Sequence, residues 1–352
     1  MALDQKRICV IPRMQGVGGM VSFQNKLADG LEARGVQLCS DLSDQPYHSV
    51  LVIGGTRHLA GLWRARRKGV RIVQRLDGMN WLHRIRRTGL RHYLRAEYGN
   101  LLLAFIRSRL ADWIVYQSHF SQRWWEQARA PTRVPNTIIY NGVDLSTYHP
   151  KGSHSRPTDC QRILLVEGSL MGGYEHGLEA AIYLAEEMEV RKKDAHRQGA
   201  GFLSVEVMVV GRVAKEVQFR WTNHTQIPIT WTGLVPRESI PEIARSAHLL
   251  YSSDINPACP NSVIEALACG LPVLAFDTGA LPDMVAAGAG RVVPYGGDPW
   301  RLDSPDIPAL AEGAADILQH QETYRKAARQ HAEEAFGLDQ MVEAYLRVLL
   351  DR

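Results

Sequence analysis

The sequence predicts an α/β protein made of two Rossmann-type domains, and three observations support this prediction. The 352 residues allow two domains of about 150 residues each. An apolar segment at 6–12 runs into a glycine-rich loop and then into an amphipathic helix at 21–34, which is how a Rossmann-type unit begins. Residues 247–285 show a strand, a loop, a helix start and a second short strand at 273–276, with the loop at the carboxyl end of the first strand.

The composition is that of an ordinary globular protein, with 45% apolar and 22% charged residues. No stretch approaches the ~20 apolar residues that span a bilayer. The first residues, MALDQKR, are polar and do not resemble a signal peptide. The five cysteines are scattered, without the spacing of a metal site or a disulfide framework. We therefore expect reduced thiols in a cytoplasmic protein.

The first half of the chain continues the α/β pattern. Gly35 is placed to end the first helix, and Ser118 is placed to cap a helix that begins near it. A polar stretch at 151–161 predicts the domain boundary. Short apolar runs predict further strands at 49–53, from 70 to 73, at 111–117 and at 137–140.

Two features of the first domain lie where predicted strands end. Gly18 and Gly19 belong to the loop after the first strand, where glycine serves either a tight turn or the close approach of backbone to a phosphate. Asp77 follows the strand that begins at Val70, and it either caps the next turn or directs a carboxylate at a ligand. The residues alone leave both pairs of alternatives open.

The functional site is predicted near the start of the helix that follows the strand at 247–252. Backbone N–H groups at a helix start favour anionic ligands, phosphates above all. Asn261 and Ser262 lie at this start, where they bind sugar or phosphate or cap the helix, and for Ser262 we expect the cap. Glu265 lies one turn farther, where its carboxylate can reach a ligand held at the helix tip.

Residues 57–109 carry an unusual concentration of positive charge, with fourteen Arg or Lys and only two acids. Within the segment WLHRIRRTGLRHYLRAEYGNLLLAFIRSRL, apolar residues recur at helical spacing and arginines occupy the other faces. Three explanations compete: a solvated helix surface, a docking face for anionic membrane lipid, or a nucleic-acid patch. Nucleic acid is the least favoured, because the sequence holds no recognisable binding motif for it.

The stretch EALACGLPVLAFDTGALPDMV, beginning at Glu265, resembles the donor-binding segment of retaining GT-B glycosyltransferases, glycosyltransferase family 4. The segment NGVD at 141–144 resembles the family's sequence where the N-terminal domain ends. The resemblance implies a GT-B fold, with two Rossmann-like domains that face each other across a cleft. It implies an acceptor domain at 1–150, a nucleotide-sugar donor domain at 151–335, and a last helix at 336–352 that crosses back onto the N-terminal domain.

The activity implied by this resemblance is metal-independent transfer of a hexose, with retention, from a nucleotide-diphosphate sugar to a glycan or lipid-linked acceptor. Neither a cofactor nor a metal ion is expected. By the family's pattern, Glu265 holds the ribose hydroxyls, and the backbone of Gly18 and Gly19 approaches the donor phosphate. Asp77 is the catalytic-site candidate, orienting hydroxyls near the reacting carbon.

The chain departs from the family's pattern at two places. The family's first glutamate, eight positions before Glu265, is replaced by Pro257. The family's arginine and lysine that neutralise the donor pyrophosphate are matched by Ser169 and His176. A replacement cation is expected from Arg212 or Lys215, after the next strand, or from Arg13 of the first domain.

Two alternatives to this activity remain open. A GT-B-shaped binding or scaffold subunit that has lost transfer chemistry would explain the departures, but it gives no physical need for Glu265 and the glycine loops. An epimerase or hydrolase on the same fold would require a positioned acid/base pair. The sequence offers no clear pair of this kind.

Overall fold

A computed structural model describes residues 6–16, 18–86, 89–171, 175–197, 203–286 and 288–351. The chain divides into two compact units. Unit 1 comprises residues 1–142 together with 336–352, and unit 2 comprises residues 143–335. The division falls inside the NGVD turn, and the first strand of unit 2 begins at Cys160, within the polar stretch where the sequence predicts the boundary.

Unit 1 contains a parallel six-stranded sheet in the order β2-β1-β3-β4-β5-β6. The predicted strand at 49–53 is confirmed to the residue. The short second strand was not predicted, because it is three residues long and half-exposed. The strands are β1 (Arg7–Ile11), β2 (Gln37–Cys39), β3 (Ser49–Ile53), β4 (Arg71–Leu76), β5 (Trp113–Tyr116) and β6 (Asn136–Ile138).

The helices of unit 1 begin and end largely where capping residues predict. Gly35 has a φ of +75° just beyond the first helix, and Ser118 forms a reciprocal capping box with Ser121. The helices are α1 (Gly19–Glu32), α2 (Leu59–Arg67), α3 (Leu82–Ile85), α4 (Leu90–Phe105), which continues into a π-helical turn (Ile106–Leu110), and α5 (His119–Arg129).

The last helix of the chain, α13 (Leu338–Leu350), packs on unit 1, as predicted. Its apolar face is buried beside Phe23, whose ring centroid lies 5.3 Å from that of Tyr345. Arg34, just after α1, forms ion pairs of 2.7 Å with both Asp339 and Glu343. The final segment therefore contributes to the core of the first unit.

Unit 2 contains a second parallel six-stranded sheet, in the order β12-β11-β10-β7-β8-β9. The predicted strand at 273–276 is confirmed to the residue. The strands are β7 (Cys160–Ser169), β8 (Ser204–Arg212), β9 (Ile229–Gly233), β10 (Leu249–Tyr251), β11 (Val273–Phe276) and β12 (Gly290–Val293).

One prediction about the helices of unit 2 is wrong. Ser262 does not cap α9, because this helix already begins at Asn261 and its N-cap is Pro260, which has no side-chain acceptor. The α-helices are α6 (Glu175–Arg197), α7 (Lys215–His224), α8 (Ile240–Arg245), α9 (Asn261–Ala268), α10 (Leu281–Met284), α11 (Ile307–Gln319) and α12 (Gln321–Ala335), with short 3₁₀ turns at Arg237–Ser239 and Pro299–Arg301.

The predicted α/β class is confirmed, since each unit is a parallel sheet with helices on its faces. Buried apolar residues on the two faces of each sheet form the cores. None of the described helices is long and apolar enough to cross a membrane.

Candidate functional site

The strand order of unit 2 creates a point where ligands commonly bind. β7 is the first strand of the unit, and its two neighbours, β8 and β10, lie on opposite sides of it. The loops that leave the carboxyl ends of β7 and β10 therefore diverge, and a crevice opens between them. Glu167 lies near the end of β7, whereas Ser253 and Asp254 follow β10.

The two carboxyl groups at this crevice are close enough to influence each other. Ser253 Oγ donates a hydrogen bond of 3.4 Å to Glu167 Oε1. Burial raises the pKa of both Glu167 and Asp254, and the charge of Asp254 raises the pKa of Glu167 further. Two neighbouring carboxylates with poor access to water are costly to ionise together, so the pair favours holding a proton. The sequence offered no clear carboxylate pair, and the structure brings these two carboxyl groups together at the crevice.

Glycines allow the backbone to close tightly around this pair. Gly211 of β8 has a φ of +141°, and a Cβ at this position would overlap the carbonyl oxygen of Glu167. The pairing of β7 with β8 is irregular at the same level, between Val166 and Ser169. Gly177, in the first turn of α6, likewise packs directly against the carbonyl of Ser253. The crevice thus depends on two positions where a larger residue does not fit.

Three of the predicted donor-binding residues lie at the same edge of the sheet. Ser169 and Arg212 are paired across β7 and β8 at their carboxyl ends, and both side chains are exposed. Lys215 is the first residue of α7 and is also exposed. Arg212 therefore lies directly beside Ser169, the position where the sequence lacks the expected cation.

The remaining predicted residues of unit 2 lie on α9. Asn261 and Ser262 form its first turn, and Glu265 follows one turn later with only 8% of its surface exposed. Arg237 Nη2 lies 3.9 Å from Glu265 Oε1, and the Arg237 side chain is 41% exposed. Burial and the charge of Glu265 raise the pKa of Tyr148 to about 12, while Arg237 acts in the opposite direction. Arg237 and Tyr148 were not predicted, because each is distant from Glu265 in sequence.

Pro257 has a structural role at the position where the resembled family has a glutamate. The amide of Ala280 donates a hydrogen bond of 2.8 Å to the Pro257 carbonyl. Gly279 has a φ of +59°, and a Cβ there would lie 2.5 Å from the Pro257 nitrogen. The preceding residue, Asn256, is buried with a φ of +56°. This loop is therefore packed through its backbone against the turn that follows β11.

The predicted residues of unit 1 lie at the carboxyl ends of its strands. Gly18, with a φ of +148°, is the N-cap of α1, and Gly19 is the first residue of this helix. A Cβ at Gly18 would meet no neighbour, so its backbone conformation rather than space favours glycine. Asp77 follows β4, and its carbonyl accepts a hydrogen bond of 2.7 Å from Trp125 Nε1.

A buried arginine lies next to Asp77. Arg75 is 1% exposed, donates a 2.9 Å hydrogen bond to Asn141 Oδ1, and stacks with its guanidinium 3.7 Å from the Phe23 ring centroid. Burial raises the pKa of the Asp77 carboxyl, and the positive charge of Arg75 opposes this shift. Asp77 therefore has a partly compensated charge in a poorly solvated position.

Unit 1 also contains a cavity of about 560 Å³ between α2 and the segment that follows β2. Its walls carry three cationic side chains, Arg57, Arg64 and Lys68, and one acid, Asp41. Lys68 Nζ donates a 2.6 Å hydrogen bond to Gln45 Oε1 in this wall. The cavity is large enough for a small ligand, and its charge favours an anionic one.

The described residues contain no group of three or more His, Cys, Asp or Glu side chains arranged to hold a metal ion.

Comparisons with known proteins identify similar sequences and folds. Residues 170–320 match the family model described as glycosyl transferases group 1. The 2-deoxystreptamine N-acetyl-D-glucosaminyltransferase of Streptomyces fradiae is 28% identical over 96 residues, which cover 27% of this chain and 21% of that protein's length. The residues that match this family model include Arg212, Lys215, Asp254 and Glu265.

Solved structures of similar fold cover nearly the whole chain. Sucrose-phosphate synthase from Thermosynechococcus elongatus has a TM-score of 0.74 at 14% identity, covering 97% of this chain and 98% of that one. HepE from Anabaena, solved in complex with UDP and glucose, has a TM-score of 0.66 at 16% identity, covering 98% and 99%. The predicted GT-B fold is therefore confirmed.

Proposed function

We propose that this protein is a glycosyltransferase that moves a hexose from a nucleotide-diphosphate sugar to a glycan or lipid-linked acceptor. One observation carries the proposal most directly: Glu265 is buried one turn into α9, beside the diverging loops of β7 and β10, within the segment that matches the group 1 glycosyl transferases. The complex of HepE with UDP and glucose supports a nucleotide sugar as donor and makes UDP the first nucleotide to test.

In this proposal the donor is held by groups of unit 2. The carboxylate of Glu265 accepts hydrogen bonds from the ribose hydroxyls, and Arg237 holds it in place from 3.9 Å. The amides at the start of α9, at Asn261 and Ser262, donate to phosphate oxygens. Arg212 and Lys215 supply the positive charge that Ser169 cannot.

The Glu167–Asp254 pair supplies the sugar contact that a glutamate at Pro257 would otherwise make. A carboxyl that keeps its proton near neutral pH donates as well as accepts hydrogen bonds, so it can bind a sugar hydroxyl without repelling the diphosphate. This role is supported by the position of the pair where the loops after β7 and β10 diverge, and by the raised pKa of both groups.

The proposed reaction proceeds with retention and without a metal ion. The acceptor oxygen forms a bond to the anomeric carbon on the face from which the diphosphate departs. The bond between that carbon and the phosphate oxygen breaks, and its electron pair goes to the diphosphate. The acceptor proton passes to the departing phosphate oxygen. The cations stabilise the charge that develops there, and Asp77 orients hydroxyls near the reacting carbon.

An acceptor with an anionic group is favoured by unit 1. The 560 Å³ cavity beside α2 presents Arg57, Arg64 and Lys68, which fit a phosphate or carboxylate. The backbone at Gly18 and Gly19, at the start of α1, is the second place in this unit suited to a phosphate.

The proposal is tested first by thermal shift of the whole chain against UDP, GDP, ADP, TDP and their sugar conjugates. A ligand that binds only the folded protein raises the midpoint by mass action. A shift with one nucleotide class supports a working donor site and names its base. The selected sugar nucleotide is then incubated with candidate acceptors, and the product's anomeric configuration is read by NMR. An absence of any shift would favour a scaffold role, and an inverted product would refute retention.

A further inference from the structure

Helix α4 turns its apolar face outward. Leu90, Leu94, Tyr98, Leu101 and Phe105 follow one another at intervals of three or four residues, so they lie on one face of the helix. Their exposed fractions are 73%, 59%, 50%, 56% and 45%. An apolar stripe of this spacing ordinarily faces the core, and here it faces away from unit 1.

The inward side of α4 is fixed to the rest of unit 1 by the packing of Leu102 and Leu103 against the core and by specific bonds. Asn100 Oδ1 accepts a 2.9 Å hydrogen bond from the amide of Asn80, and Asn100 Nδ2 donates a 2.9 Å bond to the Asn80 carbonyl. Glu97 Oε1 lies 2.8 Å from His83 Nε2 and accepts a 2.6 Å bond from Arg84. Rotating the helix to bury the stripe would break all of these bonds, so the exposure of the stripe is built into the fold.

Arginines border this stripe. Arg91 and Arg95 extend from α4 itself and are exposed. Arg57 lies with its guanidinium carbon 5.8 Å from the Tyr98 ring centroid, at the edge of the stripe. On the adjoining helix α2, Trp63 is 49% exposed and is stacked by Arg67 at 4.2 Å. Apolar and cationic side chains therefore alternate across one continuous part of unit 1.

Both acidic residues in this part of the chain already interact with cationic side chains. Residues 57–109 hold only two acids, Asp77 and Glu97. Hydrogen bonds from Arg84 and His83 lower the pKa of Glu97 to about 2. Asp77 is half-buried beside Arg75. Among the described residues of this range, no exposed carboxylate is left to neutralise the arginines around the stripe.

We propose that the α4 stripe docks on an anionic lipid bilayer, with the helix lying in the membrane surface. A helix of 16 residues is about 24 Å long. Its five apolar side chains would enter the region between headgroups and acyl chains, and the arginines would extend their apolar stems along it while their guanidinium groups bind lipid phosphates. This inference does not depend on the proposed sugar transfer.

Two other occupants fit the surface less well. Nucleic acid would use the arginines but gives no reason for five exposed apolar side chains on a single helix face. A second copy of the chain would cover the stripe, but it would bring two strongly cationic surfaces into contact, and like charges at an interface are repulsive. An anionic bilayer satisfies both the apolar and the charged part of the surface.

The test is co-sedimentation of the full chain with vesicles of phosphatidylglycerol and phosphatidylcholine, compared with phosphatidylcholine alone. We expect retention by the anionic vesicles at low salt and release at high salt, since the Arg–phosphate attraction is screened. The double variant Leu94→Ser with Leu101→Ser should weaken the vesicle affinity by at least about tenfold. The double variant Arg91→Gln with Arg95→Gln should weaken it by roughly fivefold for each arginine.

The matched control is Phe219→Ser, which removes an apolar side chain that is 74% exposed on α7 of unit 2. It should leave vesicle affinity unchanged. All five substituted positions are exposed, and an unchanged thermal midpoint verifies that each variant is folded. The inference is overturned if neutral vesicles retain the chain equally or if the stripe variant binds as well as the parent. It is also overturned if, without lipid, light scattering shows an oligomer that the stripe variant dissociates.

Discussion

Replacing Glu265 with glutamine separates a binding role of this carboxylate from a structural one. Glutamine keeps the shape of the side chain and removes the negative charge. Arg237, 3.9 Å from this carboxylate, is 41% exposed and stays solvated after the change. An ion pair of that length and exposure contributes less than about 1 kcal/mol to folding. We therefore expect the loss of this ion pair to change the free energy of unfolding by no more than that.

The effect on donor binding should be larger. Hydrogen bonds to a charged acceptor are worth about 1.5–3 kcal/mol each. The amide of glutamine retains one neutral acceptor, so the net loss for two ribose hydroxyls should be about the value of one charged bond. This corresponds to a roughly 10- to 150-fold weaker affinity for the nucleotide.

Isothermal titration with the nucleotide selected by the thermal-shift screen measures this loss, and chemical denaturation measures stability on the same preparation. Glu238→Gln is the matched control, because Glu238 follows Arg237 in the sequence and its side chain is exposed. It should bind the nucleotide like the parent protein. If Glu265→Gln also binds like the parent while both variants are folded, the ribose role of Glu265 is refuted.

Three further predictions follow from the structure. Glu167→Gln should change how the stability of the protein depends on pH. Because the pKa of the Glu167 carboxyl is raised in the folded state, its contribution to stability is complete below its ordinary pKa of 4.5. That contribution is lost as the pH rises through the raised pKa. The midpoint of thermal unfolding should therefore fall less steeply with rising pH in the variant than in the parent protein. Parallel curves for the two proteins would contradict the raised pKa of Glu167. Gly211→Ala should cost about 1–3 kcal/mol, because φ is +141° and the methyl group would overlap the Glu167 carbonyl; chemical denaturation measures the loss, and a neutral effect would contradict the close approach. Ser118→Ala should cost ~1 kcal/mol by the same assay, since it removes the 3.1 Å bond from the Ser121 amide to Ser118 Oγ, and Ser108→Ala, at an exposed serine outside any cap, is its control.

The fold was predictable because its evidence is local. Buried parallel strands are continuous apolar runs, and both 49–53 and 273–276 were bounded to the residue. Gly35 and Ser118 marked helix ends through backbone conformation and capping, which depend on a few neighbouring residues. The predicted N-cap, Ser262, lies two positions beyond the observed one, Pro260, because the loop geometry and not the cap preference of Asn261 or Ser262 decides where the helix begins.

The candidate site was predictable only in part. Glu265, Arg212 and Lys215 were found because they follow predicted strands or begin predicted helices. The roles proposed for them, and for Gly18, Gly19 and Asp77, remain predictions. The Glu167–Ser253 contact joins residues 86 positions apart, and it exists because the sheet order makes β7 and β10 neighbours. Strand order is not encoded in hydrophobic periodicity, so no local pattern identified this pair.

The sequence by itself determined the α/β class, most strand and helix positions, and the concentration of arginine at 57–109, whereas the attachment of the last helix was implied by the family resemblance. Periodicity also placed Leu94, Leu101 and Phe105 on one face of a helix. Only the tertiary structure decided the direction of that face, because direction depends on partners elsewhere in the chain. The bonds of Asn100 to Asn80 and of Glu97 to His83, together with the packing of Leu103 against the core, fix the orientation of α4 and leave the stripe exposed.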